Sequence, residues 1–374
     1  MSKIVYLGQY AVRGERRVNA ATVTLMDYVI EAICHAGYDL SVVSYADREI
    51  ALPMCKEKIN DNCELTYLSS FEDKQGFFKK AFAKIKRKKT LINELCSIIE
   101  DGDTVIAYHS LTLIDIIKEL RRKKSFKLIL QVCEKYSDFE ATRSYEKKEL
   151  GFIATADGYI FSSNQLCKRF NSQNKPYVIC LGTYKAEGEL NSPIDDGKTH
   201  IVYAGTFNPY KGGVFNAISA TEYLDSGYHL HILGGAEEKL FKLVAKSIIE
   251  ASLKTECQIT YDGFLTGDEY KSFLQSCHIG LSTQDSEGSF NDSSFPSKIL
   301  VYLANGLKVV SSKIPAVTTS MVDSAMYYYD YQAPREIARA IIEAKETNKC
   351  DPRELVDKLN RSFIEDIKIL LGLK

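Results

Sequence analysis

The chain has 374 residues, 45% of them hydrophobic and 26% charged, and its formal net charge is −1. That length calls for two domains or more, each able to bury a core, and the near-zero charge provides no global field for nucleic acid. The ten cysteines are scattered, with no CxxC pair and no Cys/His cluster at metal spacing, and they read as small buried side chains in a reducing cytoplasm. The first residues run straight into a strand-like segment, so no signal peptide is read, and no apolar run approaches the roughly 20 residues of a membrane-spanning helix. The expectation is a cytoplasmic protein that at most lies peripherally on the inner face of the membrane.

In chain order, Ile4 to Leu7 is a short apolar run ending at Gly8, a first buried strand. A polar loop holding Gln9, Arg13, Gly14, Arg16 and Arg17 follows. Asn19 then caps a helix whose apolar positions Val23, Met26, Val29, Ile30 and Ile33 repeat at helical spacing up to Gly37. Leu40 to Ser44 is the second strand. Strand, loop, helix and strand make a Rossmann-like unit, but the GxGxxG fingerprint of dinucleotide binding is absent. Residues 77–89 are the one strong charge run. Phe78, Phe82 and Ile85 share a helical face, and Lys79, Lys80, Lys84, Lys86, Arg87, Lys88 and Lys89 crowd the rest. Such a segment can lie on an anionic lipid surface, each cation contributing about 1 kcal/mol, or can be a solvated helix with three core contacts.

Asp103 to His109 reads as a buried strand, followed by a helix from Leu111 to Leu120. A histidine at a strand's carboxyl edge sits where open α/β sheets bind ligands, and it can equally be a hydrogen-bonded structural residue. Lys127 to Cys133 is another strand, with Glu134, Tyr136 and Asp138 at its edge, and strands at 156–163 and 177–182 complete the first sheet. The polar stretch from Lys185 to Lys198, with Gly188, Pro193, Asp195, Asp196 and Gly197, reads as a linker. The expected domains are therefore 1–188 and 198–350, with a final helix at 351–374 returning to the first domain.

Beyond the linker the alternation starts again. Strands are expected at 201–205, 228–233 (followed by Gly234 and Gly235), 258–261 (followed by Gly263), 279–282 and 309–312, with helical pattern at 334–344 and 353–371. Between the last two of these strands a polar loop with Ser294 and Pro296 leads into a short apolar segment that stops at Gly306. Pro near the first turn and Gly past the last are helix punctuation. A helix start with free N–H groups and Lys298 beside it suits an anion such as a diphosphate, and it also describes an ordinary capped helix. Two Rossmann-like domains leave one cleft as the default ligand site.

The segment Tyr203-Ala-Gly205-Thr-Phe-Asn-Pro-Tyr-Lys211-Gly212, the turn Leu233-Gly-Gly235, and Tyr261-Asp-Gly263-Phe264 with the following Glu269-to-Leu281 segment appear in a characteristic order. Phe295-Pro-Ser-Lys298 through Gly306, and Ala21 to Ser44 in the first domain, complete the set. Together they resemble a GT-B fold glycosyltransferase, and more closely the family-4-like, group 1 enzymes of bacterial surface polysaccharide synthesis. The resemblance covers nearly the whole chain. It implies an α/β, GT-B architecture, two Rossmann-like domains facing across a cleft.

It further implies transfer of a hexosyl group, with retention, from a UDP- or GDP-linked sugar to a glycan or lipid-linked glycan acceptor. No cofactor and no obligatory metal are implied, in keeping with the lack of a DxD pair flanked by strands. A departing nucleoside diphosphate needs its charge offset. The resemblance gives that task to Lys211, to Gly205, Thr206 and Gly234, and to the loop and helix start at Ser293, Ser294, Phe295, Pro296, Ser297 and Lys298. Gly263 and Phe264 would hold the base, although Phe264 is alternatively a core residue and Lys211 a surface lysine in a turn. His109 would act at the sugar or acceptor, Glu134 would position or deprotonate the acceptor hydroxyl, and Gln9, Arg13 and Asn19 would form the acceptor loop.

The departures are specific. Where an arginine usually precedes the lysine, the chain has Thr206, Phe207 and Asn208. The paired glutamates fall on Ser293 and Val301, and Glu287 lies too far upstream to serve. Lys298, Ser294 or Asp292 could take part of the missing role. A catalytically degenerate GT-B subunit that binds nucleotide or a partner enzyme, and a nucleotide-sugar epimerase, are the alternatives.

Overall fold

A computed structural model describes residues 3–12, 18–46, 51–71, 77–138, 143–207, 213–284, 294–331 and 333–372; for residues 20, 77–84, 138, 143 and 144 it describes the backbone alone. The chain forms two compact units, 1–183 with 362–374, and 184–361.

The first unit is built on an eight-stranded sheet. Its strands are β1 (Ile4–Gly8), β2 (Leu40–Ser44), β3 (Cys55–Asn60), β4 (Cys63–Tyr67), β5 (Thr104–Tyr108), β6 (Lys127–Val132), β7 (Gly158–Phe161) and β8 (Tyr177–Ile179). They lie in the order β3-β4-β2-β1-β5-β6-β7-β8, and only the β3/β4 pair is antiparallel. Strand order reverses between β1 and β5, the switch point at which such sheets bind ligands. The inner strands are buried along their whole length, which is why they read as continuous apolar runs. Val5, Leu7, Val105, Ala107, Leu128 and Leu130 meet Leu113, Ile116 and Ile117 of the helix Leu111–Lys123 in one core. Each large side chain so buried contributes about 1.5–3 kcal/mol.

The hairpin β3/β4 is absent from the sequence reading. Its outer strand, Cys-Lys-Glu-Lys-Ile-Asn, is exposed almost throughout and so carries no apolar alternation. The first helix, Ala20–His35, begins as its sequence foretells: Asn19 Oδ1 accepts the backbone N–H groups of Ala21 (3.0 Å) and Thr22 (3.3 Å).

The second unit carries six parallel strands in the order β11-β10-β9-β12-β13-β14. These are β9 (Thr199–Ala204), β10 (Tyr228–Leu233), β11 (Gln258–Gly263), β12 (Ile279–Ser282), β13 (Lys308–Ser312) and β14 (Met326–Tyr329). Helices Gly213–Ala220, Glu238–Ser252 and Pro334–Glu346 cover one face, where Ile201, Tyr203, Leu230 and Ile232 meet Val214, Val244 and Ile337. The helix Ser297–Ala304 meets the sheet at Gly280, where a Cβ would stand 2.4 Å from the ring of Tyr302. The Tyr302 hydroxyl accepts the N–H of Ala204 at 2.9 Å, so this helix is keyed to the end of β9.

The polar stretch expected to be a linker belongs to the second unit. Gln275, on the helix Gly267–Gln275, accepts the N–H groups of Leu190 (2.7 Å) and Asn191 (3.1 Å) and donates to Gly188 O (2.8 Å). Glu187 N–H donates to Ala304 O at 2.9 Å. Pro, Gly and Asp mark irregular backbone, and here that backbone is tied down. The last helix, Pro352–Leu371, is divided at 361/362 between the two units. Its later part stacks Phe363 on Tyr28, with ring centroids 5.3 Å apart, and Leu370 O accepts from Lys127 Nζ at 2.9 Å.

Candidate functional site

In the second unit, three neighbouring strands end in glycine. Gly205 follows β9 with φ 150°, Gly234 follows β10 with φ 132°, and Gly263 closes β11 with φ 91°. All three conformations disfavour any residue with a Cβ. At Gly234 a second constraint applies, because a Cβ would lie 1.9 Å from the carbonyl oxygen of Gly205. The strand ends are joined through backbone: Gly205 N–H donates to Leu233 O (3.1 Å), Gly234 N–H to Gly263 O (2.9 Å) and Phe207 N–H to Gly235 O (3.0 Å). The Tyr261 hydroxyl donates to Gly234 O at 2.9 Å. The result is an edge of bare backbone, held rigid, that a bulky ligand can approach closely.

Lys298 brings charge to this edge. Its Nζ lies 4.0 Å from the centre of the Tyr203 ring and 3.3 Å from where a Cβ on Gly205 would be. It projects from the first turn of the helix Ser297–Ala304, whose N-cap is Pro296. Proline has no side-chain oxygen with which to cap that turn, so the helix start remains suited to an outside anion. Phe295 and Pro296 are buried, Ser294 and Ser297 are exposed, and Thr206 is exposed beside Gly205. Phe264 is 74% exposed and so is not a core residue. Val301 is half-buried on the same helix, and that helix carries no carboxylate. Lys211, Ser293, Asp292 and Glu287 lie outside the described residues.

In the first unit, His109 directly follows β5 and is 1% exposed. Its ring lies between Tyr136 and Phe152, at centroid distances of 5.4 and 6.1 Å. Nε2 is 3.5 Å from Oε1 of Glu149, a buried carboxylate that also accepts the N–H groups of Tyr136 and Ser137 at 2.9 Å each. Burial lowers the His109 pKa to about 4, against the opposing pull of Glu149, so the imidazole is neutral near pH 7. Neither ring nitrogen has a hydrogen bond among the described residues.

Glu134 is exposed at the same edge. Next to it, buried Lys135 pairs with Glu146 at 2.6 Å. Gln9 and Asn19 are exposed, and the Asn19 side-chain oxygen is occupied by the helix it caps. Arg13 lies outside the described residues.

Sequence reasoning missed Glu149, which sits in an ordinary amphipathic helix pattern and gave no signal. It also missed Gln131, which accepts a 2.5 Å hydrogen bond from the Tyr6 hydroxyl inside the sheet. A lone amide within the apolar run Leu128 to Val132 was the available clue.

Residues 198–346 match the family model described as glycosyl transferases group 1. No curated protein matches the chain in sequence. Among solved structures, the chain is similar to a sucrose-phosphate synthase from Thermosynechococcus elongatus, with 13% identity over 98% of this chain and 94% of that one and a TM-score of 0.61. It is also similar to a trehalose-6-phosphate structure from E. coli bound with UDP-2-fluoro glucose, with 10% identity, all of both chains covered and a TM-score of 0.66. An α,α-trehalose 6-phosphate synthase from Burkholderia multivorans gives 9% identity over 100% of this chain and 96% of that one, with a TM-score of 0.64. At such identities the likeness speaks for architecture alone. The chain thus has a GT-B fold of two Rossmann-like, parallel-sheet domains, and its second unit carries the group 1 glycosyltransferase match.

Proposed function

We propose that the chain is a glycosyltransferase that moves a hexosyl group from a UDP- or GDP-linked sugar to the hydroxyl of a glycan or lipid-linked glycan of bacterial surface polysaccharide. In this reading transfer proceeds with retention and without a metal. The observation that carries it is the glycine edge at the ends of β9, β10 and β11 with the Lys298 ammonium beside Gly205. The departing group is a nucleoside diphosphate, and negative charge grows on the oxygen that leaves the sugar. Three glycines let backbone come close to that charge, and Lys298 supplies a point charge. Lys211 is assigned a second charge on the diphosphate, the exposed ring of Phe264 the base, and Glu134 the acceptor hydroxyl. The E. coli structure with UDP-2-fluoro glucose shows that this architecture accommodates a UDP-sugar in another protein.

A thermal-shift screen of UDP-, GDP- and dTDP-sugars tests the proposal. One base class is expected to raise the melting temperature, and no shift from any of them would overturn it. Val301, standing where an acid is expected, favours a second reading in which the chain binds nucleotide without turnover. Donor hydrolysis in the absence of acceptor separates the two, because an active transferase leaks free sugar.

No helix among the described residues is long and apolar enough to cross a membrane. We assign the basic helix Phe77–Ile98 to an anionic lipid surface, with Ile85 68% exposed on it. Neutralising Lys86, Arg87, Lys88 and Lys89 is expected to weaken binding to anionic vesicles at low salt, and unchanged binding would remove the assignment.

A further inference from the structure

The sheet of the second unit carries a polar cluster that the proposed transfer does not use. On β10, His229 and His231 are two residues apart and share one face. His200 pairs in register with His229 across β9/β10, and Thr260 pairs with His231 across β10/β11. The three histidines are 2%, 8% and 6% exposed. Each offers a ring nitrogen, and the three nitrogens lie within 4.8 Å of one another.

The hydrogen bonds fix which nitrogens are available. His200 Nε2 lies 3.1 Å from Asp196 Oδ1, and His231 Nδ1 lies 3.1 Å from Asp262 Oδ2. A carboxylate accepts only, so both of these nitrogens carry hydrogen. His229 Nε2 lies 3.0 Å from Thr260 Oγ1, which in turn donates to Asp262 Oδ2 at 2.9 Å. In neutral rings that leaves lone pairs on His200 Nδ1 and His231 Nε2, and these two atoms are 2.8 Å apart. Two lone pairs at that distance repel unless a cation lies with them.

The cation is either a proton shared by two rings or a metal ion taken by three. Three imidazoles, each held by an oxygen on its outer nitrogen, are the donor set of a borderline divalent transition metal with its supporting shell. Tetrahedral coordination at zinc distances would hold the nitrogens roughly 3.3 Å apart, which needs a small opening of the 2.8 Å His200–His231 pair and the His229 nitrogen drawn to that distance from within the 4.8 Å the three now span.

We propose that His200, His229 and His231 bind one zinc-class divalent ion, with Asp196, Asp262 and Thr260 orienting the rings. The ion clamps β9 to β10 and, through Thr260 and Asp262, to β11. His231 is three residues before Gly234, and Asp262 immediately precedes Gly263, so the clamp braces the strands that end in the glycine edge. Its role is structural and does not depend on the reaction the edge performs.

Tag-free full-length protein is freed of metal with a chelator and titrated with Zn²⁺, Co²⁺ or Mg²⁺. One Zn²⁺ per chain is expected to survive gel filtration, and to raise the melting temperature by about 5 °C or more, the shift expected of a tightly bound ion in a domain of this size. Mg²⁺ is expected to do neither. Co²⁺ is expected to give the intense visible absorption of a tetrahedral site in the wild-type chain, a readout that requires no variant. His229→Gln is expected to lose the bound ion, whereas His35→Gln, at an exposed ring, retains it. Absence of retained metal together with identical melting with Zn²⁺ and with chelator would overturn the proposal and assign the cluster to a shared proton.

Discussion

At the carboxyl ends of β5 and β6 the first sheet has large side chains fixed by burial, whereas β9, β10 and β11 of the second each run into a glycine. His109 is enclosed by Tyr136, Phe152 and Glu149, and Gln131 is tied to Tyr6. Gly205, Gly234 and Gly263 leave nothing but backbone, with Lys298 reaching over the edge. Parallel sheets of the same construction therefore offer two chemistries. An edge without side chains, with one ammonium beside it, suits a charged ligand recognised by its diphosphate, a group with little shape of its own. On the first unit the neutral imidazole of His109, the Glu149 carboxylate and the Gln131 amide are 1% exposed or less and serve to fix the strand ends. The contrast agrees with the donor edge proposed for the second unit.

The strongest way to break this contrast is to put a side chain on the bare edge. Gly234→Ala combines a disfavoured φ with a Cβ 1.9 Å from the Gly205 oxygen. It is expected to cost about 4 kcal/mol in urea unfolding. Gly263→Ala also meets a positive φ, of 91°, but no atom within 4 Å, and is expected to cost only about 1–2 kcal/mol. Equal losses would show that close approach of the β9 and β10 ends is not what the glycine serves.

On the first unit the corresponding test is pH. His109 is held neutral in the fold down to about 4, while in the unfolded chain it titrates near its usual value of about 6.5. Below that value the unfolded state takes up a proton that the native state refuses. Stability should therefore be complete above pH 6.5 and fall as pH drops toward 4, by about 3 kcal/mol in all. His109→Gln is expected to flatten this part of the stability-against-pH curve. Parallel curves for variant and wild type would remove the buried neutral imidazole from the account. The smallest effect lies away from both edges: Asn19→Ala removes a helix cap and should cost about 1 kcal/mol. Impaired acceptor use at no more than that stability cost would give Asn19 the acceptor role that its cap geometry argues against.

Much of this was legible in the chain. Runs such as Ile4 to Leu7 and Ile201 to Ala204 are apolar because both faces of the strand are covered, and Asn19 announces its helix. Gly205 and Gly234 stand out because each directly follows a strand-like run, whereas Gly263 follows the polar Asp262. What escaped notice lacked a local signature. β3 has no buried face, and the stretch from Lys185 to Lys198 is polar yet held by Gln275, a partner some 80 residues away. Glu149 becomes a partner of His109 only through tertiary packing. His200, His229 and His231 come together by strand register, which spacing along the chain does not report, although His229 and His231 in a strand already share a face. The missing acid at Val301 was visible from the start, and the helix offers no replacement carboxylate.

The claim that the second unit's bare edge holds the diphosphate is tested most directly by calorimetric titration with UDP and GDP. The titration compares wild type, Lys298→Ala and, as the first-unit control, Glu134→Gln. The account predicts that Lys298→Ala weakens binding of the preferred nucleotide by at least about tenfold, or about 1.4 kcal/mol, with an unchanged melting temperature, while Glu134→Gln binds it as wild type does. Equal affinity in wild type and Lys298→Ala, or a loss confined to Glu134→Gln, would contradict it.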